Sequence, residues 1–352
     1  MNVEKRTHSE ANPAAGADLT LKDIARLAGV SISTVSRVIN RRDIVAPSKQ
    51  NAVDKVLQRF SYIPNNAARI LTSGRSMTVG LVVPTMSNPL FAPTIEGAEE
   101  TLRAAGYGVL VACSNRDPDR EFDQTKTMME RGVDGMILTG ANHLPELLTL
   151  LRSKRVAAVF QDCSHTYPGA LSIAMQDAAA MALAIDTLVE RGHRRIALLT
   201  GPTGNTPPVA DRLRGAKKQL AKHGLRVESD DIAETPDYDA ASAREAVSRL
   251  LKRRPRYTAI ACTGDILALG AIMAIRRAGL AVPADISIIG CSDSVMAQYV
   301  DPPLTTIHLP FKRMGEIAAE QLLHGLQDHR LNGLTVLGYQ LMDRRSVRSL
   351  KP

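Results

Sequence analysis

Apolar residues at Leu21, Ile24, Ala25 and Ala28 fall three and four apart, the stripe of an amphipathic helix. Ala28-Gly29-Val30 interrupts the stripe, and Gly29 can take the positive φ of a tight turn. Ser31 is placed to cap a second helix in which Val35, Val38 and Ile39 form the inward apolar set. Ile32, Ser33, Ser36 and Arg37 then share the opposite face. A third helical spacing, Ala52, Val53, Val56, Leu57 and Phe60, can close a small three-helix core. Two short helices joined by a Gly-containing turn fit a helix-turn-helix, whose second helix enters the major groove of DNA.

From Thr78 the period changes. Strands are predicted over 79–84, 108–112, 136–138 and 157–160, alternating with helices over 91–105, 120–131 and 145–152. A second series begins near Ala178, with strands over 196–199, 226–227, 259–262 and 286–289. Its helices run to 190, then over 209–221, 240–252 and 266–278. Strands and helices alternating at this spacing predict βαβ units in parallel sheets, and two doubly wound sheets are more economical than one very wide one. Between the three-helix head and this α/β body lies a short Ala-rich segment with Pro64 suited to a helix start and Gly74 to its end. A helix that short is marginal in isolation.

Charge sharpens the division. The 352 residues carry a net charge of +8, but residues 1–75 hold twelve Lys/Arg against six Asp/Glu, while the remainder is close to neutral. A basic head on a nearly neutral body is the footprint of a polyanion-binding module. Tryptophan is absent and aromatics make up only 3%, which argues against a stacking surface for single-stranded nucleic acid. No apolar stretch approaches the length of a membrane span, and the first twenty residues lack the apolar core of a secretory signal, so a cytoplasmic protein without membrane contact is expected. Cys113, Cys163, Cys262 and Cys291 are scattered, with no CxxC pair, as expected of reduced thiols rather than disulfides or a zinc site.

In open α/β sheets ligands bind beyond the carboxyl ends of the strands. The polar and aromatic residues predicted there are Ser87, Asn88, Phe91, Asn115 and Asp162 in the first series, and Arg212, Tyr238, Asp265 and Asp293 in the second. Carboxylates, amides, one Arg and two aromatics suit a hydroxylated or anionic small molecule. Asp265 can equally cap the helix that begins there, and Asn115 and Asp293 can equally serve as turn formers. No nucleophile elbow, H-E-x-x-H, Walker loop or G-x-G-x-x-G follows a strand, so neither catalysis nor a cofactor or metal is expected. His193 precedes a strand at its amino end, the wrong end for chemistry, and reads as structural.

Asp23-Ile24-Ala25, Ala28-Gly29-Val30-Ser31 and Thr34-Val35-Ser36-Arg37-Val38-Ile39-Asn40 resemble the lactose-repressor/galactose-repressor (LacI/GalR) family of bacterial transcription regulators. The resemblance extends over about residues 20–347. It implies an all-α helix-turn-helix domain with a hinge helix, followed by a two-lobe, periplasmic-binding-protein-like α/β domain. The expected division is a mobile arm at 1–18, the head at 19–63, the hinge and linker at 64–76, and an effector-binding and dimerisation body at 77–347. Within the body, 303–307 resembles the family's crossover strand and 341–347 its closing strand. One lobe is then 77–176 plus 309–330, and the other 177–307 plus 331–347.

The resemblance further implies a homodimer on a pseudo-palindromic operator, controlled by a small effector such as a sugar, a sugar acid or another polar metabolite. Residues at the family's DNA-contacting positions are Leu21, Ser31, Ile32, Ser33, Thr34, Ser36, Arg37 and Asn40, with Asn66, Ala68 and Leu71 in the hinge. Leu71 falls on the wedge position that kinks the duplex from the minor groove. Arg41 and Arg42 are further candidates for phosphate contact. Arg212, Tyr238 and Asp265 match the family's effector arginine, aromatic wall and D-x-x-A-x-G aspartate. The chain departs from the family at Gln176-Asp177, where Asp-Asn is usual, and at Gly290-Cys291-Ser292-Asp293. Ser292 removes a carboxylate that commonly grips sugar hydroxyls, which argues against a simple pyranose. The rivals are a periplasmic-type solute-binding protein without regulatory role and an α/β enzyme.

Overall fold

The computed structural model describes residues 19–40, 42–62, 74–253, 257–328 and 331–351. The predicted arm, Arg41 and the hinge residues Asn66, Ala68 and Leu71 therefore lie outside the described residues. The chain divides at 76/77 into two compact units, each described by itself.

The first unit is built from α1 (Leu21–Ala28), α2 (Ile32–Asn40) and α3 (Pro47–Arg59). Thr20 starts α1 through a reciprocal capping box: its amide donates to Asp23 Oδ2 at 3.1 Å, and its hydroxyl accepts from the Asp23 amide at 3.3 Å. Gly29 ends α1 at φ 65°, where a side chain would be strained, and the Val30 amide then closes back on the Ala25 carbonyl at 3.0 Å. The Ser31 hydroxyl accepts from the Thr34 amide at 3.2 Å and so opens α2 as expected. Ile24, Val35 and Val53, one from each helix, are fully buried, with Ala25, Val38 and Val45 around them.

The second unit carries two six-stranded sheets. In chain order it runs β1 (Thr78–Val83), α4 (Ala92–Ala104), β2 (Gly108–Cys113), α5 (Pro118–Glu130), β3 (Gly135–Thr139), α6 (Pro145–Ser153), β4 (Ala157–Gln161) and β5 (Leu171–Met175). There follow α7 (Asp177–Glu190), β6 (Ile196–Thr200), α8 (Pro207–Lys222), β7 (Ile232–Glu234), α9 (Ala240–Leu250), β8 (Ala259–Cys262), α10 (Asp265–Arg277) and β9 (Ser287–Ser292). The chain closes with β10 (Thr305–His308), α11 (Phe311–Asp328), β11 (Gly333–Leu337) and β12 (Gln340–Met342). The sheet orders are β11-β5-β4-β3-β1-β2 and β12-β10-β9-β8-β6-β7, parallel except for the antiparallel β10–β12 pair. One apolar core runs through both lobes, from Val79 and Leu81 of the first sheet through Met181, Ile185 and Leu188 of α7 to Leu198 and Ile307 of the second.

Four expectations are corrected. Residues 171–175 form a strand that the sequence pattern did not reveal, because the buried Ser172 breaks its apolar run. The short strand after α8 is Ile232–Glu234, not 226–227. Residues 331–347 do not belong wholly to the second lobe: β11 pairs in parallel with β5 at the edge of the first sheet, Gly333 opposite Leu171, and only β12 joins the second. Leu334 and Val336 stay exposed on that edge strand, so its alternation carries little sign of which sheet it serves. The expected closing strand ends at Met342, after which the Ile288 amide donates to the Ser346 carbonyl at 2.8 Å. His193 is fully buried, between the Thr258 hydroxyl at 3.0 Å and the Arg348 carbonyl at 3.1 Å, which ties the C-terminal segment to the amino end of β6.

Candidate nucleic-acid interface and ligand cleft

On the head, α2 turns Val35 and Val38 into the core, which leaves Ile32, Ser33 and Arg37 exposed on the other face. Ile32 retains 48% of its surface, an apolar side chain in water beside polar neighbours. Ser31 joins Ser33 at 2.9 Å and Thr34 at 2.8 Å through their hydroxyls, a small polar network at the N-terminus of α2. Leu21 packs against the core, so it offers a ligand chiefly its backbone N–H in the first turn of α1. Arg42 pairs instead with Asp54 and with Gln50 Oε1, and Gln50 in turn donates to the Arg42 and Val45 carbonyls at 2.8 and 2.7 Å. Arg42 thus clamps the α2–α3 loop onto α3.

In the α/β unit, the carboxyl ends of the two sheets bring together residues far apart in sequence. Arg212, on the first turns of α8, has 2% of its surface exposed. Its Nε donates to Asp177 Oδ1 at 2.7 Å and its Nη1 to the Thr263 carbonyl at 2.9 Å. Burial opposes the guanidinium charge, but the Asp177 carboxylate outweighs it and holds Arg212 protonated well above its ordinary range. Tyr238 donates its hydroxyl to the same Thr263 carbonyl at 3.0 Å. It fits only because two glycines flank it: a Cβ at Gly201 would lie 2.2 Å from its ring, and one at Gly264 1.8 Å from its hydroxyl oxygen. Tyr238, Asn88 and Asp265 line one cavity between the lobes, and Phe91, Arg116 and Asp162 line a second with Asn205 and Thr206.

The carboxylates differ sharply. Asp265 is buried at the first position of α10, where Oδ1 accepts from the Thr306 hydroxyl and Oδ2 from the Ser294 amide, both at 2.6 Å. Asp293 accepts from Arg344 Nη2 at 2.7 Å and meets His308 Nδ1 at 3.1 Å. Asp162 has a buried Oδ1 with no hydrogen-bond partner. Burial, reinforced by the charge of Asp177, pushes its pKa up to about 7 against the pull of Arg212 and Arg116.

A model of the bacterial regulatory proteins of the lacI family matches residues 20–65, and a periplasmic binding protein-like domain matches 185–347. The HTH-type transcriptional repressor PurR of Photobacterium profundum is 34% identical over 335 residues, 94% of this chain and 99% of the relative. The ribose operon repressor of Escherichia coli (strain K12) is 33% identical over 93% of this chain and 99% of its own length. This chain belongs to the LacI family. Among solved structures, the Lac repressor dimer bound to operator and the anti-inducer ONPF superposes with a TM-score of 0.83 at 27% identity, over 94% of this chain and all of that one. The chain is a DNA-binding transcriptional regulator with a periplasmic-binding-protein-like body, and its relatives are repressors rather than solute carriers or enzymes. Among the described residues no helix is long and apolar enough to cross a membrane.

Of the residues singled out in the sequence, Asn88, Tyr238 and Asp265 line one cavity and Phe91 and Asp162 the other, while Arg212 lines neither, its guanidinium buried against Asp177 and the Thr263 carbonyl. Ser87 and Asn115 are exposed, and neither lines either cavity. Asn115 sits at φ 55° as a turn former. Asp265 and Asp293 both accept internal hydrogen bonds, from Thr306 and the Ser294 amide and from Arg344, which tie α10, β9 and β10 together. Sequence reasoning missed Arg116, which lines the cleft beside Asp162. The strand-end rule that selected Asn115 would have found it, since the two are adjacent after β2. It also noted Asp177 as a family departure without seeing that it neutralises Arg212.

Proposed function

We propose that the chain is a homodimeric repressor whose operator affinity is set by a small polar effector held between the two lobes of each subunit. The observation that carries the DNA half is the exposed face of α2, where Ile32 at 48% exposure stands beside Arg37 with no core to serve. Arg37 reads a guanine edge bidentately, and Ile32 packs on a thymine methyl. Ser33 and Ser36 reach bases or phosphates, while Ser31, Thr34, Asn40 and the N-terminal amide of α1 at Leu21 fix register through phosphates. Two heads on adjacent half-sites match a pseudo-palindrome to a two-fold axis. The operator-bound Lac repressor being a dimer supports that stoichiometry.

The effector half rests on Arg212, Tyr238 and Asp162 converging at the carboxyl ends of both sheets. An effector acts only through different affinities for the DNA-binding and released states, and lobe geometry is what it biases. Asn66, Ala68 and Leu71 then form a hinge helix that folds on operator DNA, with Leu71 as the minor-groove wedge. Leu71→Ala tests this directly. Operator affinity falls by more than non-specific affinity, because a wedge acts only at a kinkable step; equal losses contradict the hinge.

A further inference from the structure

Neutral sugars are gripped by carboxylates that accept from their hydroxyls, and in this cleft most such groups are already committed. Asp177 holds Arg212, Asp265 holds Thr306 and the Ser294 amide, and Asp293 holds Arg344 and His308. Two more carboxylates line the Asp162 cavity: Glu121, whose Oε2 lies 2.6 Å from His143 Nδ1 in a closed buried pair, and Asp117, whose Oδ1 accepts from the Asp119 amide at 3.0 Å as the cap of α5. Two groups remain. Arg116, half-buried after β2, makes no ion pair or hydrogen bond among the described residues; burial opposes its charge and the carboxyl of Asp162 favours it. Asp162, facing it in the same cavity, keeps a buried Oδ1 with no partner.

Charge complementarity then selects the ligand. One uncommitted guanidinium matches one negative charge; a dianion leaves a second charge buried without a partner. The carboxyl of Asp162 offers a hydrogen-bond donor to that anion only in its protonated form. Resting on the reading that the cleft between the lobes holds the effector, we infer that this effector is a small hydroxylated monocarboxylic acid, with Arg116 pairing to its carboxylate and Asp162 taking up a proton as it binds. The groups facing Asp162 are Arg116 from its own lobe and Asp177 and Arg212 from the other. Asp162 already titrates near pH 7, and a ligand anion beside it raises that value further. Binding therefore draws a proton from solvent and weakens as pH rises from 6 to 8.

The test is calorimetry of the full-length chain against matched pairs: D-gluconate with D-glucitol, D-galactonate with D-galactitol, and D-glucuronate with D-glucose. Inorganic phosphate, compared at pH 8, serves as the dianion. The expected result is one acid binding at least tenfold tighter than its neutral partner and than phosphate. That acid shows proton uptake in buffers of different ionisation enthalpy, and a tenfold or greater loss in Arg116→Gln. A neutral member or phosphate binding as tightly as the acids, an unchanged Arg116→Gln, or no acid binding at all overturns the inference. Operator binding of the wild type separates the failures. Specific DNA binding with no response to any acid sinks this inference alone, whereas acid binding without specific DNA binding sinks the regulator reading alone.

Discussion

Arg212 Nε meets Asp177 Oδ1 across 2.7 Å, with only 2% and 7% of the two side chains exposed. A guanidinium at that depth needs its counter-charge, so Asp177→Ala leaves a buried cation alone and destabilises the body by ~3 kcal/mol. Asp177→Asn keeps an acceptor in place and costs clearly less. Urea titration of both variants checks the ranking, and equal losses would show that the acceptor is immaterial and that the lost charge alone decides the cost.

The room for Tyr238 is made by Gly201 and Gly264, where added Cβ atoms would lie 2.2 Å from its ring and 1.8 Å from its hydroxyl oxygen. Gly264→Ala therefore costs ~1–3 kcal/mol by overpacking. In a Tyr238→Ala background the same change should cost far less, because its obstacle is gone. A double-mutant cycle with no coupling energy contradicts the close approach.

His143 is an imidazolium on geometric grounds alone. Its Nδ1 faces a Glu121 carboxylate oxygen at 2.6 Å and its Nε2 the Gly140 carbonyl at 2.9 Å, so both nitrogens must donate. Burial opposes that charge, but the neighbouring Cys163 sulfur and the Glu121 carboxylate raise its pKa to about 9. A folded value above the unfolded one, ~6.5, gives stability that is complete below about pH 6.5 and lost as pH climbs through about 9. Wild-type protein should lose ~3 kcal/mol more than His143→Gln between pH 6.5 and 10. Parallel pH profiles of the two melting midpoints would contradict the assignment.

Arg37 in the last turn of α2 and Arg42 just beyond it separate recognition from scaffolding. Arg37→Ala should lower operator affinity by ~1–3 kcal/mol and relax base preference at one position, with the melting midpoint unchanged. Arg42, clamped to Asp54 and Gln50, should do the reverse: Arg42→Ala loosens the α2–α3 loop with a modest loss of head stability. Fluorescence anisotropy and thermal melts of the isolated variants read both, and a pure salt-slope change in Arg42→Ala would return it to the phosphate contacts.

The helix-turn-helix was legible because every cue was local: the stripe of Ile24 and Ala25, the αL turn at Gly29 and the cap at Ser31. The alternation of strands and helices was legible for the same reason, with the Thr78–Val83 and Ala259–Cys262 runs read almost to the residue. What escaped was decided by pairing across long separations. Gly333–Leu337 finds its sheet only by meeting Leu171–Met175 more than 150 residues earlier. The site followed the same division. Strand ends located Asp162 and Tyr238, but that Asp265 and Asp293 are occupied follows from partners such as Thr306 and Arg344, which sequence spacing does not reveal. Arg116 was hidden by its neighbour: Asn115 and Arg116 both take positive φ, and the turn sends the arginine, not the amide, to the cavity.

The central claim is that the α2 face reads a specific operator. It is tested most directly by anisotropy of the full-length protein on duplexes from its own upstream region, against a scrambled duplex at two salt concentrations. The account predicts a specificity ratio of ~1,000 or more together with a steep loss of affinity at higher salt. Equal binding to both duplexes, with and without the acids that fill the cleft, would contradict it.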